Sequence, residues 1–221
     1  MTQSRFASIA CTVTVGMFAY LVISAAVSGL DAFFHEGAGV EEVSLGLLIT
    51  AVALWFALAG HLRWQEWQIP AALALMLARE MDFDKRFTNP FGLLKLKTYT
   101  HDAPLHIQII GGMAILFTLW VGFRILRRNA PLWWSRLRAG TMDAWLILGA
   151  ALCGICAKTF DGLGRKLESF GIDLPEQINT LAGQSEEVLE ALCYYMIVLA
   201  IARLTVPALR RAAGIAPVAA E

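Results

Sequence analysis

Ionisable side chains set inside or at the ends of long apolar runs are the first candidates for chemistry in this 221-residue chain. Such groups are expensive in an apolar surrounding and are retained where they pair or act. The densest polar run is Arg79-Glu80-Met81-Asp82-Phe83-Asp84-Lys85-Arg86-Phe87-Thr88. Arg79, Glu80 and Asp82, together with Glu190 in the last apolar run, are the candidate acids, bases and electrostatic groups. A helix unbroken from Met76 to Phe87 would set Glu80 one turn from Asp84 and align Phe83 with Phe87, a surface able to hold a lipid headgroup or a polar substrate. The plainer reading is that Arg79 and Glu80 pair with charges on neighbouring helices. Glu190 needs a counter-ion, for which Arg79 is the natural candidate; without one it could relay a proton.

His35, His101 and His106 supply ligand types that suit a metal, in company with Glu36, Asp82, Asp84, Asp102, Asp161 and Glu187. Pro104 between His101 and His106 predicts a loop and not the helical spacing of a zinc site, so loop histidines with no ligand role are the competing reading. Cys153 and Cys156 form a Cys-Gly-Ile-Cys sequence with Cys193 at comparable depth, an arrangement open to thiol and quinone redox chemistry. That chemistry needs a second, solvent-exposed cysteine pair, which is absent, and residues three apart on a helix are poorly set for a disulfide. Asp161 and Arg165 are spaced as a surface ion pair. No phosphate-binding loop, nucleophile elbow or His-Glu-x-x-His sequence occurs. A metal or a quinone is therefore implied only through the histidine or the cysteine reading.

The elements that must position these groups are membrane helices. Hydrophobic residues make up 57% of the chain and charged residues 16%, against about 45–50% and about 25% in ordinary soluble domains. Equal numbers of basic and acidic residues give no basic footprint for nucleic acid. The run from Phe6 to Val27 is too long for the core of an export signal and reads as a retained helix. Spans are expected near residues 8–30, 43–60, 107–123, 142–157 and 188–206, with a shorter sixth near 69–83 that meets Arg79 and Glu80. Basic residues in short loops mark the cytoplasmic side. Arg5, the group Arg124, Arg127, Arg128, Arg136 and Arg138, and the group Arg203, Arg210 and Arg211 share one side only if segment 69–83 crosses. Lys85, Arg86, Lys95 and Lys97 count against this solution, but five crossings would strand the larger arginine group outside. Trp64, Trp67, Trp133 and Trp134 then fall at the cytoplasmic interface, where amphipathic rings are favoured.

The chain thus reads as all-α, a single polytopic unit over residues 1–221 with about six membrane helices and both termini cytoplasmic, in a bacterial inner membrane. Small-residue faces at Gly111-Gly112 and at Ala150 with Gly154 predict close helix packing. A short surface helix is expected to begin at Pro175-Glu176, and the last span at Ser185-Glu186-Glu187. The leading functional expectation is a non-enzymatic membrane component that packs in a larger complex or homo-oligomer, or binds lipid through an external polar rim. The alternatives are an enzyme at the external membrane surface using the histidines and acids, and a thiol and quinone oxidoreductase using Cys153 and Cys156.

Overall fold

A computed structural model describes residues 3–29, 39–60, 62–86, 92, 97–100 and 103–204. Most of these residues are helical, the rest lie in turns, bends or irregular connections, and there is no strand among them. The helices are α1 (Gln3–Ser28), α2 (Val40–Leu58), α3 (Leu62–Gln65), α4 (Gln68–Glu80), α5 (Phe83–Arg86), α6 (Lys97–Thr100), α7 (Leu105–Arg128), α8 (Ala130–Arg138), α9 (Met142–Phe160), α10 (Leu163–Glu168) and α11 (Glu176–Arg203). Among the described residues four segments are long and apolar enough to cross a membrane: Phe6–Val27, Val40–Leu58, Leu105–Arg128 and Met142–Phe160. The 28-residue α11 carries Glu186, Glu187 and Glu190 within its length, and the 13 residues of α4 extend only about 20 Å.

The long helices alternate in direction. Phe6 of α1 lies under the Arg203 guanidinium of α11 at 4.9 Å, and Thr14 shares a 2.6 Å hydrogen bond with Tyr195, so these two helices are antiparallel. Tyr20 donates to Glu42, which sets the end of α1 beside the start of α2. In the same way α9 opposes α11, with Gly149 facing Met196 and Lys158 facing Glu190, and α4 opposes α7, with Gln68 bonded to Asn129. One end of the bundle therefore gathers the carboxylates of α2, α4 and α11. The other gathers Arg124, Arg128, Arg136 and Arg203 with Trp64, Trp67, Trp133 and Trp134.

The core lies between α2 and α11. Val43, Leu47, Leu48, Ala51 and Trp55 recur at helical spacing along one stripe of α2, and meet Leu73 of α4, Ala150 of α9, and Cys193, Tyr194, Val198 and Ile201 of α11. Small residues let α9 approach α11 closely: Gly154 faces the Cys193 sulfur, and Ala150 and Ala157 are buried. At the second small-residue pair Gly111 of α7 is buried, while Gly112 beside it has open space. Outward, Val15, Phe18, Val22 and Ile23 of α1 and Ile109, Met113, Leu116 and Leu119 of α7 are exposed, as side chains solvated by lipid tails would be.

Two local expectations are corrected, and one further helix appears. The helix does not run from Met76 to Phe87; it stops at Glu80, and Asp82 takes a left-handed conformation at φ 51° before the short α5. Aspartate is among the few residues that tolerate this conformation, because its short side chain can bond locally. The short surface helix at Pro175 and the last long helix are one element, because Glu176–Ser185 contains no proline and its Glu176, Gln177, Leu181, Ala182 and Gln184 favour helix enough to carry it through Gly183. The arginine-rich connection after α7 is itself a helix, α8, with proline in its first turn. It ends where Gly140 at φ 70° lets the Gly140 and Thr141 amides turn back to the Leu137 and Arg136 carbonyls.

Candidate functional site

The acidic end is built by three helices. The last turn of α4 presents Arg79 and Glu80, the last turn of α9 presents Lys158, and α11 presents Glu186, Glu190 and Tyr194 at four-residue spacing on one face. Glu190 lies between two cations, 3.5 Å from Arg79 and 3.2 Å from Lys158. Lys158 also reaches Glu186 at 3.4 Å and Asp161 at 3.0 Å. Glu80 accepts a 2.7 Å hydrogen bond from the Tyr194 hydroxyl, and Tyr194 is only 4% exposed. At Asp161, just past the end of α9, partial burial favours the neutral acid. The hydrogen bond from Lys158 and the charges of Lys158, Lys166 and Arg79 outweigh it and hold the carboxyl below its ordinary range.

Arg79, Glu80 and Glu190 are thus brought together, and Arg79 is the counter-ion that charge pairing expects for Glu190. Asp82 sits two residues past Glu80 in the left-handed turn. Asp161 pairs with Lys158 and not with Arg165, whose guanidinium folds back over Gly162. His106 is exposed on the first turn of α7, while His35 and His101 lie outside the described residues. Among the described residues no three histidine, cysteine or acidic side chains are grouped to hold a metal. All four cysteines are free; Cys156 is exposed, Cys153 packs against the core, and Cys193 is buried beside Gly154.

Sequence reasoning missed Lys158, one residue past the expected end of its span, although its position between an apolar helix and Asp161 was a usable signal. It also missed a second polar network at the opposite end. Glu66, in the turn before α4, is buried and accepts from Arg128 Nε at 2.7 Å, Gln68 at 2.6 Å and Asn129 at 3.2 Å. Gln68 is fully buried; it also donates to Asn129 at 2.9 Å and accepts from Arg124 at 2.9 Å. Nearby, Arg136 holds Asp143 through two contacts, at 2.8 and 2.7 Å. Chemically, both networks fasten helices together through complementary charge and satisfied hydrogen bonds.

The chain matches no protein-family model, no curated protein and no solved structure.

Proposed function

We propose that the chain is a six-crossing bundle of a bacterial inner membrane with both termini cytoplasmic, and that it serves as a non-enzymatic component that packs with lipid and with other membrane subunits. The observation that carries the non-enzymatic reading is Glu190, held between Arg79 of α4 and Lys158 of α9, so that the most prominent charges of the acidic end tie three helices to one another. Support for the topology comes from the alternating helix directions and from the separation of the arginine end from the acidic end, which matches the bias of cytoplasmic loops toward basic residues. The short α4 is compatible with crossing because charged networks hold both of its ends at the rims of the bundle. The exposed faces of α1 and α7 suit lipid or a neighbouring subunit.

Two measurements test this. With the native cysteines replaced by alanine, a membrane-impermeant thiol reagent is expected to label Asp173→Cys in intact cells, and Ser135→Cys only after permeabilisation. Labelling of both without permeabilisation overturns the six-crossing arrangement. For the acidic end, Glu190→Gln is expected to lower stability in nanodiscs by about 1–2 kcal/mol. It weakens charge-assisted contacts worth about 1.5–3 kcal/mol when fully formed, and here the cations are partly exposed. A catalytic cluster behaves in the opposite sense, because active-site charges are kept at a cost to stability. A Glu190→Gln variant more stable than the parent would therefore argue for a reaction site.

A further inference from the structure

We infer that the corner formed by the end of α7 and the whole of α8 is a docking surface for anionic phospholipid headgroups. The inference rests on the membrane-bundle reading but is independent of which way the bundle faces. From Ala103 to Met142 the chain has no Asp or Glu, while Arg124, Arg127, Arg128, Arg136 and Arg138 fall within fifteen residues of one another. Among the described residues two acids meet this group, and both are buried: Glu66 neutralises Arg128, and Asp143 neutralises Arg136. Among the described residues Arg124 donates to neutral acceptors, the Gln68 side chain and the Gln65 carbonyl, and lies over the Trp67 ring at 5.4 Å. No acid among the described residues forms a direct ion pair with it. Arg127 and Arg138 are exposed, and the Arg138 guanidinium rests 5.8 Å from the centre of the Trp134 ring.

The shape of α8 fits the same partner. None of its residues is buried by the rest of the protein. Trp133 is anchored by an indole N–H donated to the Ala144 carbonyl at 3.0 Å, whereas Trp134 beside it is 51% exposed. A short helix that offers tryptophan and leucine together with the exposed Arg138, beside Arg124 and Arg127 at the end of α7 and flush with the arginine end of a membrane bundle, has the composition of an element lying in the headgroup layer. Indole rings occupy the boundary with the acyl chains, and exposed arginines meet phosphate. An acidic protein partner would satisfy the charge but not the exposed indole set at membrane depth.

The full-length chain, purified in mild detergent, is titrated in native mass spectrometry with phosphatidylglycerol, with phosphatidylcholine and with inorganic phosphate. Phosphatidylglycerol is expected to bind more tightly than phosphatidylcholine. Arg127→Gln and Arg138→Gln should each weaken phosphatidylglycerol binding about fivefold, the equivalent of one basic side chain near an anionic surface, and leave phosphatidylcholine binding unchanged. Both side chains are exposed, so the variants keep the fold, which a thermal melt verifies. Equal affinity for the two lipids, unchanged affinity in the double variant, or inorganic phosphate displacing the lipid at matched concentration overturns the assignment. Failure of the six-crossing reading appears elsewhere, in the labelling of Asp173→Cys and Ser135→Cys, and does not alter this titration.

Discussion

Arg128→Met is expected to destabilise the bundle by about 3–5 kcal/mol, and Glu66→Gln by distinctly less, about 1–2 kcal/mol, although the two residues form one ion pair. The asymmetry follows from where each partner sits. The Glu66 side chain is 8% exposed and that of Arg128 46%. Removing Arg128 leaves a buried carboxylate facing only the neutral donors Gln68 and Asn129. Removing the charge of Glu66 leaves a guanidinium that water and headgroups can solvate, and the amide oxygen of a glutamine can still accept from its neighbours. The double variant Arg128→Met/Glu66→Met should recover much of the loss, because replacing both members of a buried pair by apolar groups is often near neutral. Unfolding of nanodisc-reconstituted protein, followed by helix signal against denaturing detergent, measures all three variants. A Glu66→Gln loss as large as that of Arg128→Met would mean that geometry, not desolvated charge, governs this corner.

Hydropathy made the long helices legible because a stretch long and apolar enough to cross a membrane is apolar on its exposed side as well, as Ile109, Met113, Leu116 and Leu119 of α7 illustrate. It failed where a helix leaves the apolar layer. Glu176–Ser185 is polar yet helical, since five good helix formers and the absence of proline extend α11 outward, and neither leaves an apolar signature. The arginine-rich stretch after Asn129 reads as a loop by charge but forms α8, because its two tryptophans and two leucines share its length with the basic residues. Among site residues, the Arg79–Glu190 pair is legible from charge and depth alone. Lys158 is not, because the expected end of its span falls one residue earlier. Glu66 and Gln68 gave no signal in sequence: their partners Arg128 and Asn129 lie more than sixty residues away, and only the antiparallel packing of α4 against α7 brings them together.

The second large effect lies in the core. Trp55→Ala is expected to cost about 3–5 kcal/mol, whereas Trp55→Phe should be close to neutral. Trp55 is 1% exposed and is the largest fully buried side chain among the described residues. On the proposed membrane reading water supplies little drive between helices, so the loss on truncation to alanine is mainly the cavity and the dispersion contacts of the indole with its neighbours in the core. The indole N–H has no hydrogen-bond partner among the described residues. An orphaned buried donor costs about 1–3 kcal/mol, which phenylalanine removes while retaining most of the ring, so the gain offsets the smaller volume. The same unfolding titration distinguishes the two terms. If Trp55→Phe proves nearly as costly as Trp55→Ala, the N–H must be satisfied in the membrane by a group such as a buried water, and the centre of the bundle is wetter than its apolar lining implies.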